Sequence, residues 1–173
     1  LWWSPDPRMV LFPKEFKRHK NLSKTINTLG FKICFDANFK QVIENCSKAP
    51  RPGQEGTWIT DEMKQSYILM NELGYAHSVE TYLDDQLVGG LYGLSLGNTF
   101  FGESMFHYQK DASKVALWHL VDKMLEWNFT MIDVQQETEH LRSLGARTIS
   151  RKTFLTLLEQ SLKFPTKKGN WIF

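Results

Sequence analysis

Glu103 lies within Phe100-Phe101-Gly102-Glu103-Ser104-Met105-Phe106, an aromatic run that reads as a central strand. A carboxylate among aromatics is costly to bury unless a cation meets it, so Glu103 reads as a site residue ahead of an outward-facing strand position. Asp133 and Gln135 close a second run, Met131-Ile132-Asp133-Val134-Gln135. Residues two apart on a strand project from one face, and the carboxyl end of a strand is where open sheets bind ligands. The pair therefore either addresses one ligand or caps the following helix; spacing alone leaves both readings open.

Other candidates fall away on chemical grounds. Gly89-Gly90-Leu91-Tyr92-Gly93 and Gly97 lie in expected strands, without the G-x-G-x-x-G spacing or a Walker lysine, so close backbone packing explains them. His19, His77, His107, His119 and His140 have neither an HExxH spacing nor a cysteine pair, so no metal site is expected. Ser104 and Ser143 lack a nucleophile elbow. Cys34 and Cys46 stand twelve apart, outside redox or metal spacings; Cys34, in Phe31-Lys32-Ile33-Cys34-Phe35, is expected to be a buried inert thiol.

The elements that must position these residues are legible in outline. Met9–Phe12 is expected as a short strand ended by Pro13, and residues 14–29 as a helix carrying Phe16, Ile26 and Leu29. Lys32–Phe35 reads as a strand, 38–46 as a helix capped by Asn38, and the helix after Thr60 as running to about Leu73 before Gly74. A meander follows over 76–83, 87–95 and 99–106, turning at Asp84-Asp85 and Gly97-Asn98. Then come a long amphipathic helix over 111–127, a buried strand over 130–134, and helices near 138–144 and 150–163. This order is α+β or mixed α/β, in a single domain: 1–13 as an opening segment and first strand, then 14–173.

Composition permits a sizeable core: 173 residues, 42% hydrophobic and 23% charged. The net charge of +2 conceals three blocks. Residues 1–53 carry ten Lys/Arg against four Asp/Glu, 54–139 four against fourteen, and 140–173 seven against one. Two basic ends around an acidic middle suit a polyanion on one face and a cation elsewhere. The last block reads either as a solvated face or, at least as readily, as a phosphate-contacting one, with Arg142, Arg147, Arg151 and Lys152 as the expected contacts. Cys34 and Cys46 could pair, but nothing else suggests an oxidising compartment, so a reducing cytoplasm is expected. The opening Leu1-Trp2-Trp3 has no basic n-region or h-region, so no signal peptide is expected, and the missing initial Met reads as the mark of a fragment. No apolar run reaches membrane length, and nothing demands more than a monomer.

Seven stretches in order resemble the leucyl/phenylalanyl-tRNA–protein transferases: Trp2-Trp3-Ser4-Pro5-Asp6-Pro7-Arg8, Gly56-Thr57-Trp58-Ile59-Thr60, Ala76-His77-Ser78-Val79-Glu80, Leu87-Val88-Gly89-Gly90-Leu91-Tyr92-Gly93, Gly102-Glu103-Ser104-Met105-Phe106, Ala112-Ser113-Lys114 and His140-Leu141-Arg142-Ser143-Leu144-Gly145-Ala146. The resemblance implies a GNAT-like acyltransferase domain with a central, mostly antiparallel sheet flanked by helices. The resemblance also implies a small preceding N-terminal domain with a Phe-Pro-Trp segment, which is expected to be missing from this sequence. Two local departures are Val134 within the usual Asp-Cys-Gln, which argues against a thiol nucleophile, and His107 where a small hydroxyl residue is common.

The implied reaction moves Leu, Phe or, less well, Met from its tRNA to the α-amino group of a protein beginning with Arg or Lys, creating an N-terminal degradation signal. It implies no cofactor. Aminolysis of an activated ester needs mainly orientation and oxyanion stabilisation. On this reading Gln135, an amide and so not a proton store, holds the attacking amine, Asp133 orients or polarises it, and Glu103 reads the substrate's cationic or amino groups. Leu91, Phe100 and Ile132 floor the pocket for the transferred side chain, with Leu117 and Leu120 behind; Trp58 shapes the adenosine or peptide side, and Ser104 lines the substrate site. The rivals are an acetyl-CoA-dependent N-acetyltransferase, whose pyrophosphate loop Asp111-Ala112-Ser113-Lys114 does not supply, a cell-wall aminoacyl-tRNA ligase, and a non-catalytic RNA-binding module, for which no RRM or KH signature exists.

Overall fold

The computed structural model describes residues 4–50 and 56–172. Trp2-Trp3 and the Arg51-Pro52-Gly53 part of the expected loop lie outside the described residues. The elements are β1 (Arg8–Leu11), a 3-10 turn (Pro13–Glu15), α1 (Lys20–Thr28), β2 (Lys32–Phe35), α2 (Phe39–Lys48), α3 (Asp61–Glu72), β3 (Ala76–Leu83), β4 (Gln86–Leu96), β5 (Thr99–His107), α4 (Ala112–Glu126), β6 (Met131–Gln135), α5 (Glu139–Ser143), β7 (Arg147–Ile149) and α6 (Arg151–Ser161). One seven-stranded sheet runs β2-β3-β4-β5-β6-β1-β7. Every neighbouring pair is antiparallel except β5 and β6, which run parallel over Thr99–Phe101 and Met131–Asp133. The mixed α/β expectation is met.

Alternation along each strand sorts the core onto two faces. Leu91, Phe100 and Ile132 pack with α4 residues Leu117, Leu120 and Val121 on one side. Tyr92 and Phe106 face the other side with Val42 and Ile43 of α2, while Val10 and Met131 meet Phe154 of α6. Caps fix most helix starts: Asn38, Thr60, Thr138 and Ser150 each accept a backbone N–H three residues on. Glycine is needed for the site at Gly89, where a Cβ would lie 2.5 Å from that of Ala112; its absence lets the head of α4 rest on β4.

Two expectations need correction, and one strand was not anticipated. Residues 14–29 are not one helix, because Pro13 opens a single 3-10 turn and Phe16 is extended, buried edge-on against Trp118, before α1 begins. The edge strand β7 has only three residues and no clear alternation to reveal it, yet it pairs with β1. Cys34 is only half-buried; Cys46 is the fully buried thiol, and neither is in a disulfide.

Candidate active site

Beyond Phe101 and Asp133 the parallel strands part, β5 continuing beside β4 and β6 beside β1. Both lips of the opening are bulged. On β5, Tyr92 pairs with Ser104 and Gly93 with Gly102, so Glu103 is the extra residue. On β6, Val10 pairs with Asp133 and Met9 with Gln135, so Val134 is the extra one. Bulges re-aim side chains, and here they do so where the sheet has just lost its ladder.

A cavity of about 800 Å³ occupies this opening between the sheet and α4. Its apolar wall is built from Leu91, Phe100, Met105, Leu117, Leu120, Ile132 and Val134; its polar atoms come from Glu103, Ser104, Gln135 and, around the head of α4, His107, Lys110, Ser113, Lys114 and His140. Burial pushes the Glu103 carboxyl up to about 7; the nearby Asp133 charge adds to the rise, while a hydrogen bond from Tyr67 and the charge of Arg8 oppose it. Tyr67 is itself held protonated, chiefly by its own burial and then by Glu103.

Asp133 is fully buried and does not line the cavity. Arg8 grips it through Nε at 3.0 and 3.2 Å and through a terminal nitrogen at 2.7 Å. The same carboxylate accepts the backbone N–H of Gln135 at 3.1 Å, and Gln135 Nε2 donates to the Asp133 carbonyl at 3.2 Å. The shared-face expectation for the two side chains therefore fails. The bulge at Val134 and a positive φ of 57° at Gln135 break the alternation. Asp133 stands behind Gln135 and fixes its backbone.

Eight sequence-derived candidates meet at the cavity: Glu103, Gln135, Leu91, Phe100, Ser104, Leu117, Leu120 and Ile132. Trp58 does not; it is 41% exposed outside the lining. The candidate phosphate contacts are surface residues already engaged in part: Arg142 with Glu137, Arg147 with Glu15 at 2.8 Å, and Arg151 with the Ser4 carbonyl at 2.7 Å. Lys152 is exposed at the start of α6. Sequence reading missed the roles of Tyr67, Arg8, Lys110 and Ser113. Arg8, at the end of the Ser-Pro-Asp-Pro-Arg stretch, and Ser113, within Ala112-Ser113-Lys114, carried a signal; Tyr67 and Lys110 carried none. The described residues hold no cluster of three or more His, Cys, Asp or Glu able to bind a metal.

A mostly antiparallel sheet that parts around an apolar pocket, with a carboxylic acid and an amide on opposite lips, defines the class: a mixed α/β domain with its candidate site in the gap of a split sheet. The pattern of the leucyl/phenylalanyl-tRNA protein transferase family matches residues 10–159. Similar proteins of that name include one from Dechloromonas aromatica, 56% identical over 154 residues, covering 89% of this chain and 66% of the relative, and one from Legionella pneumophila, 53% identical over 171 residues, covering 99% and 76%. The chain belongs to the leucyl/phenylalanyl-tRNA–protein transferase family, whose name denotes aminoacyl transfer from tRNA to protein, and it spans about two thirds to three quarters of those relatives. Among solved structures, the C-terminal DUF2156 domain of an Agrobacterium fabrum protein named for lysylphosphatidylglycerol synthesis shares the fold. Its TM-score is 0.50 at 10% identity, covering 96% of this chain and 55% of that one. No helix among the described residues is long and apolar enough to cross a membrane.

Proposed function

We propose that this chain transfers Leu, Phe or Met from aminoacyl-tRNA to the α-amino group of a protein beginning with Arg or Lys, giving a cytoplasmic N-terminal degradation signal. The observation that carries the reading is the cavity in the β5–β6 gap, which pairs a floor for an apolar side chain with Glu103 and Gln135 at its lip. Unbranched and γ-branched side chains fit such a floor better than β-branched ones by about 1–3 kcal/mol.

In the transfer, the amine lone pair attacks the ester carbonyl, a C–N bond forms, the C–O bond to the tRNA ribose breaks, and the amine's proton ends on that ribose oxygen. The Gln135 carbonyl accepts from the incoming amine. Glu103, when ionised, takes its proton and returns it to the leaving oxygen. Asp133 works through the Gln135 backbone, so it is a positioning residue. Arg142, Arg147 and Arg151 exchange exposed, individually weak contacts for the phosphates of the tRNA backbone, and Lys152 adds its charge beside them.

The test offers labelled Phe-tRNA together with peptides beginning in Arg or Ala. Label on the Arg peptide alone is the expected result; label on both, or on neither, overturns the reading. With Gln135→Ala, transfer falls about 100-fold.

A further inference from the structure

The head of α4 differs from the other helix starts in a way that points to a ligand. Asp111 stands at its N-cap in the left-handed region and makes no side-chain cap bond; its carboxylate instead accepts from Lys114 Nζ at 2.7 Å. The N–H groups of Ser113 and Lys114, in the first turn, find no acceptor among the described residues. Ser113 is only 5% exposed and lines the cavity, and its hydroxyl has no hydrogen-bond partner among the described residues. A hydroxyl that opens onto the cavity and has no partner among the described residues is free to donate to a ligand seated there.

The surroundings favour an anion. His107, Lys110, Lys114 and His140 line the same part of the cavity, and Lys110 makes no ion pair among the described residues. Burial lowers the His140 pKa, and the positive charges of Lys114 and His107 lower it further, with Asp111 opposing. Asp111, the acid in this group, is already answered by Lys114. Spacing then selects the kind of anion. Ser113, Leu117 and Leu120 form one stripe of α4 facing the cavity. By helix rise, Ser113 lies about 6 Å from Leu117 and about 10 Å from Leu120 along the axis. An anion at Ser113 is thus separated from the apolar floor by roughly the body of one nucleoside.

We propose that the head of α4 is a phosphate subsite: the N–H groups of Ser113 and Lys114, the Ser113 hydroxyl and the Lys110 ammonium receive the 5′ phosphate of the nucleotide whose ribose carries the aminoacyl ester. The proposal rests on the donor reading given above and extends it. One phosphate suits the head better than a pyrophosphate, because Asp111-Ala112-Ser113-Lys114 has no glycine to bring its backbone around two. The helix N-terminus and Lys110 supply the charge, the Lys114 ammonium being engaged by Asp111; Ser113 supplies the direction.

The probes are puromycin, an aminoacyl-nucleoside mimic, and puromycin 5′-monophosphate, with both dissociation constants measured by calorimetry. The wild-type protein is expected to bind the phosphorylated compound about tenfold more tightly. Ser113→Ala and Lys110→Met should each bring that ratio toward one, and added salt should reduce it in the wild type. Lys110 is exposed, so its variant keeps the test valid even if Ser113→Ala perturbs packing. Puromycin binding without a phosphate preference, or a preference that survives in both variants, overturns the subsite alone. No binding of either compound overturns the donor reading and the subsite with it.

Discussion

Burial keeps the Glu103 carboxyl protonated up to about pH 7, so its charge changes just below the range, about 7.7–8.0, where the acceptor's α-amine becomes neutral. A group whose folded pKa is raised holds its proton more tightly in the folded than in the unfolded chain. Its stabilising contribution is complete below about 4.5 and is lost as pH rises toward 7, on the order of 3 kcal/mol across that window. Glu103→Gln should remove this slope, which urea unfolding at a series of pH values will show; an unchanged slope would mean that Glu103 titrates normally. The same variant should lose about 100-fold in kcat/KM and keep only the amine limb of the pH profile. Behind Gln135 the arithmetic is harsher. Arg8→Met leaves Asp133 buried without its cation and should cost about 3–5 kcal/mol by chemical denaturation, whereas Arg8→Lys, keeping the charge but not the two-pronged grip, should cost less. At this scale Glu103 was legible because a carboxylate among aromatics violates a burial rule. Tyr67 was not, since a tyrosine on a helix violates nothing.

The strands and helices were legible where periodicity was strong, as in β3 to β5 and α4, and obscure where one residue breaks the pattern. The bulges at Glu103 and Val134 insert a single position each, invisible to alternation, yet they decide which side chains reach the cavity and which turn away. Asp133 and Gln135 were paired correctly as neighbours and wrongly as equals for that reason. The glycines of β4 were legible in kind but not in target: close packing was expected, and the structure supplies α4 as what packs closely. An alanine Cβ at position 89 would meet Ala112 Cβ at 2.5 Å and the Ser113 nitrogen at 3.0 Å. Gly89→Ala should therefore push the helix head off the sheet, costing about 1–3 kcal/mol in thermal or urea unfolding. If that midpoint does not move, the contact is softer than its geometry implies.

Across the whole molecule the three charge blocks fold onto one another. Arg8 and Arg18 of the first block bind Asp133 and Asp122 of the acidic middle, Arg142 of the last binds Glu137, and Glu15 of the first binds Arg147 of the last. Part of the basic surplus is thus internal, which the linear count could not reveal. Trp171 makes another long closure. Its backbone N–H donates to Asp36 at 2.9 Å, and its indole stacks on His77 at 3.6 Å between ring centres, nearly parallel at 4°. Asp36 also bonds His77 Nδ1 at 2.8 Å, so three distant segments share one buried knot. The indole reaches further, lying 6.0 Å from the ring of Phe100, which walls the cavity. Trp171→Ala should cost about 3–5 kcal/mol by opening a void against His77, with Trp171→Phe costing less. If the tryptophan also braces the cavity wall, slackening Phe100 should lower the preference for Phe over Val as the transferred residue by severalfold in kcat/KM, in proportion to the void each variant leaves. Stability falling while that preference holds in both variants would make Trp171 a staple for the chain and leave the shape of the pocket to the sheet and α4.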